Sequence, residues 1–285
     1  MPENYHDMIN NTGEIIPFSN ISNIDTISEA FQGDGEVSPE DSIIHNIENL
    51  PSIEEIELIA PEDVCPPDER IKIINTTEYP WRSICRLIIT RDDGIVAVGT
   101  GWFNGEGTVV TAGHCVYSTE LEKWHKSIII IPGKNHNIEP YGRYISTKFW
   151  SVLGWVKHKN LEYDYGAIML ENKIGKSIGY SGFRADPNSM IEDKTIMNSG
   201  YPAGKDGNLI DTQWYMKGNI KELTEKQIKY LIDTYGGNSG GPIWLDDESY
   251  QVIGIHAYGG CPNKGTRINK EVFNNLINWK KMGES

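Results

Sequence analysis

The chain has 285 residues, and its 26 Lys+Arg against 40 Asp+Glu give a formal net charge of −14. The imbalance is local: residues 1–63 hold 15 acids and no Lys or Arg, whereas residues 64–285 hold all 26 bases and the other 25 acids, a balance of +1. No part of the chain has the cation surplus that nucleic-acid binding needs, and no window approaches the ~18 apolar residues of a spanning helix.

The length leaves room for about two domains, and residues 64–285 alone can bury a core without staples. Residues 1–63 are rich in Asn, Ser, Ile and acid, and two readings fit them. One is an acidic, mostly disordered tail. The other is a segment whose Ile43, Ile44, Ile47, Leu50, Ile53, Ile56 and Leu58 dock on something. The opening MPENYHDMINNTGEIIPFSN shows no basic n-region and no apolar h-region, so no secretory signal is visible in it.

From residue 71 onward the pattern changes to short strands. They are expected at 84–90, 95–100, 108–111, 127–131, 165–170, 195–199, 213–220, 229–232, 242–245 and 251–256, separated by Gly, Asp and Asn turns. Such a series reads as an all-β barrel or sandwich. The exception is 269–282, where Val272, Phe273, Leu276, Ile277 and Lys280 recur at helical spacing and predict an amphipathic C-terminal helix. The four cysteines, Cys65, Cys85, Cys115 and Cys261, contain no CxxC pair, which argues against a zinc site. Their even count suits two disulfides in an exported protein or, equally, four buried thiols.

Three strings carry chemistry: Thr111-Ala112-Gly113-His114-Cys115, Asp164-Tyr165-Gly166-Ala167-Ile168-Met169-Leu170, and Gly236-Gly237-Asn238-Ser239-Gly240-Gly241-Pro242. A serine hydroxyl needs a base to become a nucleophile, and the oxyanion it generates needs donors. Gly237 lets the backbone turn so that its N–H and that of Ser239 point at one spot. His114 could be the base, with Asp164 fixing its tautomer. Each string alone has an ordinary structural reading, but the order His, Asp, Ser with gaps of 50 and 75 residues is far more specific. His6, His45, His125, His136 and His158 lack such contexts and are expected at the surface.

TAGHC, DYGAIML and GNSGGP resemble the triad motifs of chymotrypsin-fold serine endopeptidases, and the chain further resembles the bacterial glutamyl endopeptidases. Asp68-Glu69-Arg70 with Asn75-Thr76-Thr77 is similar to the start of their mature chains. Ser199-Gly200-Tyr201-Pro202, Thr234-Tyr235-Gly236-Gly237-Asn238-Ser239 and Gly254-Ile255-His256 match as well. The similarity covers about residues 64–282. It implies an all-β fold of two packed six-stranded β-barrels with a C-terminal helix, preceded by an acidic prosegment: 1–63 as propeptide, 64–180 as the first barrel with His114 and Asp164, and 181–285 as the second with Ser239. The implied activity is endopeptidase chemistry through an acyl-enzyme, with no cofactor, acting on polypeptides as a secreted monomer.

The resemblance also implies that His256 and Thr234 read a Glu, or more weakly an Asp, before the scissile bond, since an imidazole and a hydroxyl can each donate to a carboxylate. No Asp stands five residues before Ser239, where Thr234 is, so cleavage after Lys or Arg is disfavoured. Two departures matter. Gly241 stands where many glutamyl endopeptidases have Ser, and Asn238 stands where trypsin-like enzymes have the Asp that pairs with a new N-terminus. The resemblance places the mature N-terminus at Val64, whose α-ammonium would help bind the substrate carboxylate, so the acidic prosegment is expected to be removed by an acid-specific cut at 63/64. It further suggests Cys85–Cys115 and Cys65–Cys261 disulfides. The competing readings are a preference for small or apolar residues, a catalytically silent binding module on the same fold, and a permanent interaction tail at 1–63.

Overall fold

The computed structural model describes residues 3–20, 26–37, 56–58, 69–202, 211–247 and 249–285. Two β-sheets carry the fold. In the first, the strands run Tyr144–Ser146, Ser127–Pro132, Ile84–Thr90, Val96–Phe103, Thr108–Thr111, Gly166–Met169 and Phe149–Val152, each antiparallel to the next. The apolar run Ile128, Ile129, Ile130 and Ile131 is at most 7% exposed. A strand buried on both faces cannot alternate in sequence, which is why it reads as a continuous hydrophobic stretch.

The second sheet runs Pro242–Leu245, Thr195–Gly200, Trp214–Leu223, Gln227–Tyr230, Asn263–Arg267 and Val252–Tyr258, and returns to Pro242–Leu245. These six strands close a barrel. The first sheet does not close by pairing, which corrects the expectation of two closed barrels. Its end strands Tyr144–Ser146 and Phe149–Val152 are instead consecutive in the chain, joined only by Thr147 and Lys148. A two-residue connector spans less than about 10 Å, so the sheet must curl until its ends meet. The Ser146 hydroxyl donating to the Met169 carbonyl (2.6 Å) and the Met169 N–H donating to the Lys148 carbonyl (2.9 Å) tie the seam.

The outer edge of Phe149–Val152 is taken by Met8–Asn10, itself paired with Ile15–Ile16. On the other sheet, Ile27–Ser28 pairs with Phe183–Arg184, which lies parallel to Val252–Tyr258. Among the described residues, the N-terminal segment is therefore docked rather than a loose tail. The C-terminal helix spans Lys270–Glu284, and its N-cap Asn269 accepts from the Val272 N–H at 2.9 Å. Phe273, Leu276 and Trp279 are buried on its inner face. Asn104 and Thr108, at the Val96–Phe103 to Thr108–Thr111 turn, donate to its Leu276 and Trp279 carbonyls.

The cysteines correct a second expectation. Cys85 and Cys115 are free, buried thiols. Cys85 pairs across the sheet with Gly101, whereas the Cys115 sulfur lies against Gly99, two residues earlier in that strand. Cys261 is disulfide-bonded, and Cys65, its expected partner, lies outside the described residues. A Cβ added at Gly99 would stand 3.0 Å from the Cys115 sulfur, a separation that a disulfide spans. The Gly99→Cys variant should thus bond to Cys115 under oxidising conditions. Thiol counting and non-reducing peptide mapping check this, and two free thiols at these positions after oxidation would refute the placement.

Two histidines expected at the surface are interior: His6 is 7% and His125 3% exposed. His136 and His158 are exposed, and His45 lies outside the described residues. Burial is the main reason that both interior rings are lowered to about 4 from 6.5. A depressed pKa in the folded state means that the unfolded chain takes up protons first as the pH falls. The two groups therefore contribute stability that is fully present above about pH 6.5 and is lost as the pH falls towards 4, up to roughly 3 kcal/mol each. Urea midpoints measured from pH 7.5 to 4 should drop across this window. His125→Gln, which keeps an N–H donor but cannot charge, should show a shallower drop, and an equal slope in both proteins would contradict the assignment.

Candidate active site

His114 sits in a 3₁₀ turn, Gly113–Cys115, directly after the strand Thr108–Thr111. That strand pairs with Gly166–Met169, which places Asp164 beside the turn. The fully buried Asp164 carboxylate takes two bonds from the same residue: His114 N–H at 2.8 Å and His114 Nδ1 at 2.7 Å. A Cβ on Gly113 would stand 2.9 Å from Asp164 Oδ1, so the approach depends on glycine there. The Asp164 backbone carbonyl accepts from the Thr266 hydroxyl at 3.0 Å, a brace from the second barrel.

With Nδ1 facing a carboxylate, the proton resides on Nδ1 and Nε2 is the acceptor. Nε2 is buried and has no protein hydrogen-bond partner. Burial, the largest single cause, opposes a charged ring, but the charge and hydrogen bond of Asp164 together with the neighbouring Cys115 raise His114 well above the ordinary histidine value. His125 braces His114 from behind. Its Nε2 lies 3.0 Å from the His114 carbonyl, which can only accept, so His125 donates as a neutral ring.

The Gly236–Pro242 loop is fixed against the first sheet through Thr100. The Thr100 N–H donates to the Ser239 carbonyl (2.8 Å), and its hydroxyl donates to the Gly237 carbonyl (2.7 Å) while accepting from the Tyr201 N–H (3.0 Å). The Thr100 carbonyl accepts from the Thr111 hydroxyl, three residues before His114. The Cys115 sulfur reaches the Ser239 carbonyl at 3.7 Å. Ser239 is therefore brought to the His114 turn by the backbone of its own loop. Gly237 has φ +104°, a conformation that side chains disfavour, and a Cβ there would stand 2.5 Å from the Tyr201 carbonyl. The intervening N–H groups of Asn238, Gly240 and Gly241 are bonded to Tyr235, His256 and Asn238 carbonyls.

His256, fully buried, is tied to the same loop in both directions: Gly240 N–H to its carbonyl (2.8 Å), and its N–H to the Gly241 carbonyl (2.9 Å). Its Nδ1 pairs with the Tyr230 hydroxyl. Thr234 differs from expectation. Its hydroxyl donates to Asn263 Oδ1 at 2.9 Å, and the Asn263 amide is oriented by its own donation to the Ile232 carbonyl. The Thr234 proton is thus engaged within the protein. Val64 lies outside the described residues.

Three residues near the site escaped the sequence reading. Asn263 and Thr266 lie on Asn263–Arg267, a strand whose sequence NKGTR has no alternation to reveal it. Tyr258, two residues past His256, places its ring 5.7 Å from that of His114. Burial first and the Asp164 charge second raise its phenol pKa, so the group stays protonated.

The Thr100 hydroxyl is the most testable of the supports. Thr100→Val keeps the volume but leaves the Gly237 carbonyl and the Tyr201 N–H buried without this partner, at a cost of about 1–3 kcal/mol each. The variant should fold with reduced stability and lose about tenfold or more in kcat, whereas Thr100→Ser should retain most activity. Wild-type kcat in Thr100→Val would overturn this role.

Comparison with known proteins agrees with this geometry. The family described as Trypsin matches residues 73–280. A glutamyl endopeptidase of Bacillus licheniformis is 38% identical over 223 residues, 75% of this chain and 67% of that protein. An extracellular metalloprotease of Bacillus subtilis is 34% identical over 283 residues, 97% of this chain and 88% of that protein. That name implies a metal, but among the described residues no group of three or more His, Cys, Asp or Glu is arranged to hold one, and no step is assigned to a metal. The solved structure of a Glu endopeptidase in complex with MPD superposes with a TM-score of 0.68 at 30% identity, covering 77% of this chain and 99% of that one. The chain belongs to the trypsin family and is a serine endopeptidase, similar to glutamyl endopeptidases, whose substrates are polypeptides.

Proposed function

We propose that Ser239 is the nucleophile, His114 the general base and then acid, and Asp164 the residue that holds the imidazole and stabilises its charged form. The observation that carries this reading is the pair of hydrogen bonds that His114 donates to Asp164, with Nε2 left without a protein partner and the adjacent Cys115 sulfur against the Ser239 carbonyl. Ser239 Oγ attacks the scissile carbonyl as Nε2 takes its proton. The Gly237 and Ser239 N–H groups receive the oxyanion, an arrangement typically worth ~10²–10³ in rate. His114 then protonates the leaving amine, and water repeats the sequence to release the acyl group. Ser239→Ala should cost something like 10⁶-fold in kcat.

Substrate choice follows from His256. Its pairing with Tyr230 fixes the ring, and its backbone bonds to Gly240 and Gly241 set it beside the nucleophile. A fixed imidazole next to the scissile position suits a Glu side chain, and the likeness to glutamyl endopeptidases supports that preference. Thr234 joins only by turning its hydroxyl from Asn263, so His256 carries most of the discrimination.

The enzyme is made as a precursor, acts outside the cell as a monomer, and matures by an acid-specific cut at 63/64. The support is the charge boundary at Asp63, together with the parallel pairing of Ile56–Leu58 on residues 96–98. Those residues belong to the strand whose Thr100 bonds the Ser239 carbonyl, so the chain before the cut lies alongside the strand that holds the serine loop. Peptides differing only in the residue before the cut test the preference. Glu should be cleaved best and Asp more weakly, and His256→Leu should abolish most of the gap between Glu and Ala. Full activity on Ala or Phe with none on Glu would refute the glutamyl assignment while leaving the triad intact.

A further inference from the structure

The acidic N-terminal segment is built into both sheets. We propose that residues 3–20 and 26–37 are a permanent, strand-forming component of the folded enzyme that stays bound to the described residues from 69 onward after any cut between them. The proposal extends the maturation reading, since a cut at 63/64 would then yield a two-chain enzyme, but its evidence is independent of where the cut falls.

The first contact completes a sheet edge. Met8–Asn10 pairs in full register with residues 150–152, and the ladder continues through Leu153 N–H to the Asp7 carbonyl (2.9 Å) and Gly154 N–H to the Tyr5 carbonyl (2.8 Å). Met8 is 1% exposed and belongs to the main hydrophobic core. Asn275 of the C-terminal helix donates to both the His6 carbonyl (3.0 Å) and the Tyr165 hydroxyl (2.9 Å). Tyr165 in turn donates to His6 Nδ1 at 2.9 Å, the direction that suits a ring kept neutral by burial. Tyr165 directly follows Asp164, so the segment is tied to the stretch of chain that carries this acid.

The second contact is equally built. Phe31 and Tyr180 exchange two backbone bonds (3.0 and 2.7 Å), and the Ala185 and Gly35 N–H groups reach the Thr26 and Ser177 carbonyls. The Arg82 guanidinium grips the Gln32 and Gly33 carbonyls at 2.6 and 3.2 Å. The enzyme body leaves room for the passing backbone: a Cβ on Gly182 would stand 2.4 Å from the Ser28 carbonyl. Without the segment, residues 149–152 become an open strand edge, and the socket of Met8 is exposed. Similarity to the Bacillus subtilis relative spans 97% of this chain and so takes in most of this segment.

The test uses the full chain carrying Ser239→Ala, nicked by an added Glu-cleaving protease. It is followed by native size-exclusion chromatography with mass spectrometry, and by amide exchange at Leu153 and Gly154. The fragment holding residues 3–37 should co-elute with the body and separate only in denaturant, and both amides should stay protected. Free elution of the fragment, with those amides exchanging more than about tenfold faster and the body still melting as before, would overturn the proposal. Gly182→Val in the full chain, which crowds the Ser28 carbonyl, gives a second readout. It should lower the melting temperature by several degrees, and an unchanged melting temperature counts against the proposal. Failure of the wild-type chain to cut itself at 63/64 bears only on maturation, because the nicking protease is supplied.

Discussion

Thr100 is the point at which the two halves become one machine. Its N–H, hydroxyl and carbonyl are all engaged, with Ser239, Gly237, Tyr201 and Thr111, and it is completely buried. A residue so placed has no water to fall back on, so the loop bearing the serine cannot shift without leaving polar groups unsatisfied. The pairs of glycines on either side of Asn238 and Ser239 give the loop its shape, and Thr100 gives it its position.

The complementary brace runs the other way. Thr266, on the closed barrel, reaches the Asp164 carbonyl, and His256 on the neighbouring strand bonds the loop on both sides. Each half therefore holds the chemistry of its partner: first-sheet Thr100 holds the serine loop, and second-barrel Thr266 holds the acid. His114 is supported twice within its own half, by Asp164 on one ring nitrogen and by His125 on its backbone. This division explains why the strong electrostatic coupling sits in a single buried pair while the rest of the site is organised by neutral hydrogen bonds.

Much of this was legible in the sequence because catalytic strings are local. TAGHC, DYGAIML and GNSGGP each encode a turn, a strand start or a glycine-rich loop within a few residues, and the proposed triad is read from their order. The closing helix was readable from its period, and its Asn269 cap marks the start within a residue. What was hidden depends on partners far along the chain. His6 and His125 looked like surface residues because nothing near them in sequence announces Tyr165, Asn275 or the His114 carbonyl. Asn263–Arg267 has no alternating pattern, since its place is set by strands on both sides. The docking of Met8–Asn10 rests on an edge 140 residues away in the chain, and a three-residue strand carries too little pattern to be seen alone. Thr234 could be identified as a hydroxyl near the site, but the direction of its proton is decided by Asn263.

The absence of a bridge at Cys85 has a chemical consequence. Thiols react as thiolates, and burial pushes the Cys85 pKa well above its ordinary value while denying reagents access. In the native state this sulfur is inert to alkylation, and it becomes reactive only when the strand Ile84–Thr90 parts from its neighbours. The rate at which an alkylating reagent consumes Cys85 therefore counts openings of the sheet that leads into the His114 turn, a clock for local unfolding that needs no label.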